Sequence, residues 1–250
     1  MALRTAIRET IRAFLPVERK PHRIRKGPLR GHVIFTSWHD YPGAIRGDTE
    51  APLLEWFSRN VLPGETWLDI GAHYGYTAMA LSRLVGPGGR VFAFEPVAET
   101  VECMARTREL NQLSQLWVVP LGLGLGSGEP SQSVPVYRGM ADKTIDDSDV
   151  METIPVAGFD AIWGSLCGGK PDVHGVKIDV QGMEREVIEG MACMLRAMRP
   201  RLVVEFHRGV DRAAILALLN CCGYSRSRQP VEPGCGDLMD NKSYIFTAPA

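Results

Sequence analysis

The sequence predicts an α/β protein, a mostly parallel sheet with helices on both faces, preceded by a separate basic segment. Three observations carry this. From residue 66 onward, short apolar runs of strand length alternate with longer stretches of helical periodicity. Of the 250 residues, 45% are hydrophobic and 23% charged, which is ordinary for a globular chain able to bury a sizeable core without disulfides or metals. The charge is uneven: residues 1–30 carry +7 and residues 31–250 carry −8, behind a formal net charge of −1.

The elements follow in order. Residues 3–15 suit a short amphipathic helix, with Leu3, Ile7, Ile11 and Phe14 on one stripe, Arg4, Arg8 and Arg12 on another, and Pro16 ending it. Residues 17–47, rich in Pro, Gly and basic residues, read as an irregular arm. Leu53, Leu54 and Phe57 form the inward stripe of a helix over 50–61, stopped by Pro63-Gly64. Strands are expected at 66–70, 90–95, 116–120, 173–180 and 202–207. Helices are expected at 76–85, 97–111, 183–198 and 211–222, with closing strands at 224–228 and 243–247. The stretch 121–172 breaks the rhythm and reads as a long connection carrying extra strands. The domain expectation is therefore a basic cap over 1–60 and an α/β domain over 61–250.

The six cysteines form no CxxC pair and have no histidine at zinc-finger spacing. Cys103 and Cys193 fall among apolar neighbours in helical patterns, which suggests buried free thiols in a reducing cytoplasm. No run reaches about 18 apolar residues, so no membrane-spanning helix is expected. The first residues lack the continuous apolar core of a secretory signal.

The richest local signal is Trp67 to Thr77, where an apolar strand ends in Asp69 and enters a turn with Gly71 and Gly75 that opens a helix. Glycines allow close ligand approach, and the helix start offers N–H groups. The next strand ends in Glu95-Pro96, 24 residues after Gly71, where a carboxylate can accept hydrogen bonds from ribose hydroxyls. His73 stands where a dinucleotide fingerprint needs its second glycine, and no Lys-Ser/Thr follows, so dinucleotide and P-loop readings fail. A turn of this form suits a nucleoside ligand without phosphate, S-adenosylmethionine, with Asp69 and the turn amides on its amino-acid end and Glu95 on its ribose.

Several blocks in sequence order carry a resemblance. They are Gly47-Asp48-Thr49-Glu50, LDIGAHYGYTAMALSRLVGPGGRVFAFEP at 68–96, VVPLGLG at 118–124, VKIDVQGMEREVIEGM at 176–191 and LVVEFH at 202–207. Together they resemble the FkbM-type S-adenosylmethionine-dependent methyltransferases. The resemblance implies a class I methyltransferase (Rossmann-like) fold, seven-stranded with an antiparallel last strand, and transfer to a hydroxyl of a sugar or natural product. It also implies that Asp69, Gly71, Gly75 and Glu95 hold the cofactor and that Leu121 and Gly122 flank its adenine. Ala72, His73, Tyr76 and Pro96 belong to the same expected contact set. The chain departs from the family pattern at His73, where Asn is common, and at Gln181, where Glu is common.

Methyl transfer from a sulfonium is an in-line displacement, so the protein positions the acceptor and manages its proton. Asp179, at the end of the fourth strand, suits a place beside the cofactor or the acceptor hydroxyl, or a helix-start acid. Glu205 and His207 share one side of the fifth strand, so they can pair as a catalytic couple. Glu50 and His73 are candidate acceptor contacts; each also has a local reading, as a helix-start acid and as a turn former. Metal ligation by Asp146, Asp147 and Asp149 with Asp179 is set aside in favour of side-chain catalysis without a metal. The expected partner is a small-molecule acceptor. An RNA acceptor reached through the basic arm, or a non-catalytic docking module with membrane-surface contact, are the alternatives, and the N-terminal helix leaves room for a homodimer.

Overall fold

The computed structural model describes residues 14–125, 128–145, 150–168, 172–225 and 227–248. The helix expected over 3–15, beyond Phe14 and Leu15, and the acids Asp146, Asp147 and Asp149 lie outside these residues.

The expected arm over 17–47 is ordered. β1 (Lys20–Arg23) and β2 (Val33–Thr36) pair antiparallel, and a short helix α1 (Pro42–Arg46) follows. α2 is Ala51–Asn60. The main sheet uses β3 (Thr66–Ile70), β4 (Arg90–Phe94), β5 (Leu116–Val119), β10 (Gly175–Ile178), β11 (Arg201–Phe206), β12 (Arg228–Pro230) and β13 (Lys242–Phe246). Its order is β12-β13-β11-β10-β3-β4-β5, with β11 through β5 parallel and β13 antiparallel to β11. This is the class I methyltransferase arrangement. The chain runs outward from β3 to β5 and returns to β10, so β3 and β10 flank the switch point where such sheets bind ligands.

Strand alternation sorts the core into two layers. Leu68, Ile70, Phe92, Phe94, Val176 and Ile178 face helices α5 (Phe159–Leu166), α6 (Glu184–Gly190), α7 (Ala192–Met198) and α8 (Arg212–Cys221). Trp67, Val91, Ala93 and Val203 face α2, α3 (Tyr76–Val85) and α4 (Ala98–Leu110), together with Ile24, Ile34 and Ile45 of the N-terminal segment. A Cβ at Gly175 would stand 2.3 Å from the Trp67 ring, so the glycine gives that indole its place. Phe57 of α2 meets the same indole edge-on at 5.6 Å.

The connection 121–172 holds β6 (Gly122–Leu123), β7 (Ser131–Tyr137), β8 (Met140–Ala141) and β9 (Met151–Ala157). They form a second sheet in the order β6-β9-β7-β8. The helix expected over 183–198 is two helices. It breaks beside Gly190, whose missing Cβ lets the Gly124 carbonyl approach; a Cβ there would lie 1.8 Å from that oxygen. Asp160 caps the second piece, accepting from the Cys193 and Met194 N–H groups at 2.8 and 2.9 Å. Tyr224 belongs to the core rather than to a strand, its hydroxyl donating to the Pro200 carbonyl at 2.8 Å. Of the two cysteines expected inside, Cys103 is buried and Cys193 exposed, because α7 turns its Cys193 face to solvent. Among the described residues no helix is long and apolar enough to cross a membrane.

The hairpin is fixed to α4 by side chains acting as a third strand. Asn111 Oδ1 accepts from the Val33 N–H at 3.0 Å, Asn111 Nδ2 donates to the Val33 carbonyl at 2.6 Å, and Thr107 Oγ1 accepts from the Phe35 N–H at 3.0 Å. Truncating the fully buried Phe57 to Ala should therefore cost about 3–5 kcal/mol in urea unfolding. A loss below about 1 kcal/mol would show that α2 is not part of the core.

Candidate active site

The carboxyl ends of β3, β4, β10 and β11 open into one cleft of about 260 Å³. The N-terminal segment supplies one wall through Asp40, Tyr41, Thr49 and Glu50. The small sheet supplies the other through Arg138, Met140, Ile154 and Val156, with Leu121 and Gly122 beside them.

At the floor stands Lys177, which the sequence reading did not single out. Its Nζ lies 3.1 Å from Asp69 Oδ1, 3.3 Å from Asp179 Oδ2 and 3.0 Å from the Gly71 carbonyl, so three donors meet three acceptors. Burial opposes the charge, but Asp69 and Asp179 outweigh it and hold the ammonium well above its ordinary pKa. Asp69 is fully buried and also accepts from Thr77 Oγ1 at 2.6 Å. It therefore braces the floor and does not line the cleft. Asp179 does line it, and Lys177 keeps its carboxylate below the usual range despite burial. The signal for Lys177 was present: a lysine inside a short buried strand requires a partner.

The turn after β3 works differently from the expectation. The N–H groups of Gly71 and Ala72 both donate to the Phe94 carbonyl at 3.0 Å, and that of Gly75 donates to Ala72. Those amides are committed internally, so these residues shape the turn rather than offer donors. Gly71 has φ 77°, and a Cβ there would lie 1.8 Å from the Asp179 carbonyl. Only glycine lets β3 leave past β10.

Glu95 is 3% exposed, with Oε2 accepting from the His73 N–H at 2.9 Å and Oε1 from the Val97 N–H at 3.1 Å. Burial pushes it up to about 7, against those two bonds. Each oxygen keeps a lone pair for a further donor, and Pro96 lines the cleft beside it. His73 takes φ 50°, as a turn former would. Its Nε2–H donates to the Arg138 carbonyl at 3.1 Å, joining the turn to the small sheet, and its ring packs on Tyr41 and Tyr74. Burial lowers its pKa to about 3, so the imidazole is neutral. Tyr76 and Glu50 face the cleft; burial, then repulsion from Asp179, raises Glu50.

Glu205 lines the cleft, whereas His207 lies behind it, 2% exposed. Its Nδ1 donates to Glu184 Oε1 at 2.6 Å, and Nε2 lies 3.4 Å from Asp179 Oδ1 and 3.5 Å from Glu205 Oε1. Glu184, at the start of α6, was not foreseen; a helix-start glutamate carries no sign in sequence that it reaches across to another strand. Burial lowers the His207 pKa, but the Glu184 bond and then Asp179 outweigh this and raise it to about 9. Burial and then Asp179 raise Glu205.

Residues 69–226, more than half of the chain, match the family described as "Methyltransferase FkbM domain". The chain belongs to this family. A curated relative, the hexuronic acid methyltransferase AglP of Haloferax volcanii, is 32% identical over 165 residues, covering 61% of this chain and 60% of AglP. The protein-L-isoaspartate O-methyltransferase of Aeropyrum pernix is 42% identical over 76 residues, 30% of this chain and 28% of that protein. The chain thus spans less than two thirds of the length of either relative. A solved FkbM methyltransferase from Methylobacillus flagellatus KT aligns at 18% identity and TM-score 0.49, over 77% of this chain and 50% of that one. Aeropyrum pernix fibrillarin, solved with natively bound S-adenosyl-L-methionine, aligns at 14% identity and TM-score 0.49 over 92% and 88%. Membership in this methyltransferase family makes S-adenosylmethionine the cofactor, and the cleft fits it. It offers the buried carboxylate of Glu95, with lone pairs left for further donors, and the carboxylates of Asp179, Glu205 and Glu50.

Two outcomes test the floor of the site in this FkbM-family chain. Lys177→Met strands Asp69 and Asp179, and should cost about 3–5 kcal/mol by urea unfolding; adding Asp179→Asn should restore part of it. Unchanged stability in Lys177→Met would remove the ammonium from its central place. The second concerns pH. A histidine raised to about 9 stabilises the fold fully below its ordinary 6.5, and this is lost as pH rises through 9. The raised Glu205 acts in the same direction. The cofactor-free protein in chelator should therefore lose about 5–10 °C in Tm between pH 6.5 and 9, and His207→Ala should flatten the profile.

Proposed function

We propose that the chain is an S-adenosylmethionine-dependent methyltransferase acting on a hydroxyl of a small molecule, a sugar or a natural product. The observation that carries this is the presence in one cleft of Glu95, suited to a ribose, together with Asp179 and Glu205. AglP, a relative that methylates a hexuronic acid, supports a sugar as the acceptor. In this reading residues 1–60 are a cap, residues 61–250 the transferase domain, and 121–172 the acceptor wall.

Glu95 would hold the ribose hydroxyls while Asp179, fixed by Lys177, faces the amino-acid end. Leu121, Gly122 and Pro96 would enclose the base. Bound there, the cofactor supplies an activated methyl group. That methyl group would pass to the acceptor hydroxyl, which must give up its proton to a nearby base. Glu205 is placed to take the hydroxyl proton, and His207, held by Glu184, positions Glu205 and Asp179. Glu50 and Tyr41 would contact the acceptor from the cap. His73 serves as a clamp between the turn and the small sheet, since it is neutral and bound.

The described part of the basic segment uses charge internally. Arg19 lies 3.1 Å from Asp40 and 2.8 Å from Glu99, and Arg25 sits over the Trp38 ring at 4.9 Å. This favours enclosure of a small acceptor over an RNA track.

Calorimetry should show S-adenosylmethionine binding that falls by about tenfold or more in Glu95→Ala, where a charge-assisted contact is lost. Incubating the enzyme with a panel of sugars, hexuronic acids among them, should give a product heavier by one methylene by mass spectrometry, absent in Glu205→Gln. Absence of cofactor binding in the folded wild-type chain would overturn the proposal.

A further inference from the structure

The cluster at the ends of β10 and β11 is more elaborate than a proton acceptor requires. Asp179, Glu205 and His207 each present a ligand atom, and these atoms all lie within 4.8 Å of one another. His207 Nε2 is buried, makes no hydrogen bond, and lies 3.4 and 3.5 Å from the Asp179 and Glu205 oxygens. With Nδ1–H given to Glu184, Nε2 faces those two oxygens, so either its own proton or a cation that displaces it stands between them. A carboxylate behind an imidazole is how metal-ligating histidines are oriented and their tautomer fixed.

Charge points the same way. Lys177 is committed to Asp69 and to Oδ2 of Asp179, which leaves Oδ1 toward His207. Among the described residues, no Lys or Arg pairs with Glu184 or Glu205. Glu184 and Glu205 thus meet the imidazole with no Lys or Arg of their own, and Asp179 shares its one ammonium with Asp69. Ligand bonds to a divalent ion of about 2.0–2.2 Å place adjacent ligands about 3 Å apart, so the His207 spacings of 3.4 and 3.5 Å need to close by only a few tenths of an ångström, while the two carboxylates need to draw together around the ion. Two hard oxygens and one imidazole suit Mn²⁺, Mg²⁺ or Zn²⁺.

We propose that Asp179, Glu205 and His207 bind a divalent cation at the edge of the acceptor cleft, with Glu184 orienting the imidazole. The site is independent of the S-adenosylmethionine-binding residue Glu95, but a role in catalysis rests on the methyltransferase reading above.

The test is a Mn²⁺ titration of the full chain, stripped by chelator, followed by loss of the free-ion electron paramagnetic resonance signal. One Mn²⁺ per chain is expected. Glu184→Gln should weaken binding about 10–100-fold, and His207→Ala at least as much. Bound Mn²⁺ should also raise the wild-type Tm. A folded wild-type chain that leaves the ion free at millimolar Mn²⁺ overturns the proposal, as does a folded His207→Ala that binds like the wild type. If His207→Ala does not fold, the wild-type stoichiometry and Glu184→Gln decide. Calorimetry with S-adenosylmethionine on the same samples separates the two readings. Cofactor binding without Mn²⁺ binding removes only the cation, and Mn²⁺ binding without cofactor binding removes only the methyltransferase reading.

Discussion

One buried ammonium organises the molecule. Lys177 sits on β10, neighbour to β3 at the switch point, and ties the ends of both strands through Asp69, Asp179 and the Gly71 carbonyl. An isolated charge at this depth is expensive, so the three contacts must form together or not at all. They impose the rest in turn. The Gly71 carbonyl can face Lys177 only if β3 leaves in a left-handed turn, and that turn presses against the Asp179 carbonyl, where no side chain fits. The turn delivers His73 N–H to Glu95, and Glu95 anchors the start of the next helix through Val97. Glu95 at one end of the cleft and Asp179 at the other are thus two ends of one electrostatic bracket.

Much of this was readable from local pattern. The strand at Thr66–Ile70 and the helix at Tyr76–Val85 fall where alternation and helical period place them, because each is bounded by glycine or proline. Alternation paired Glu205 with His207, which lie 3.5 Å apart; that Asp179 joins them comes from the neighbouring strand. Local pattern failed where partners are distant in sequence. Glu184 meets His207 only through packing of α6 on the sheet, and the order in residues 20–46 comes from Asn111 and Thr107 of a later helix. The break at Gly190 was hidden because its cause, the Gly124 backbone, belongs to another segment. The turn amides were misread for a related reason. An isolated loop exposes its N–H groups, but in the fold the Phe94 carbonyl takes two of them.

The uneven charge also acquires a physical meaning. The described cap turns basic side chains toward acids and aromatic rings of its own segment and of α4, while the cleft gathers carboxylates. A cationic cofactor entering such a cleft gains from the surrounding negative field, and the buried floor is little screened by salt. Among the described residues Arg19 is engaged by Asp40 and Glu99, Lys26 by Asp48 and Arg25 by the Trp38 ring, so these charges are partly neutralised where the basic segment forms a wall.

The small sheet has a separate consequence. Among the described residues its strands hydrogen-bond to one another and to no strand of the main sheet; the segment's backbone reaches the rest of the site at points such as Arg138 to His73, Gly139 to Thr100 and Lys143 to Gln181. Residues 121–157 therefore behave as a plug-in jaw. Changes in its cleft-facing residues would reshape one wall while the Lys177 floor kept its contacts, provided that Leu123, Val134, Ile154 and Val156 still filled the core.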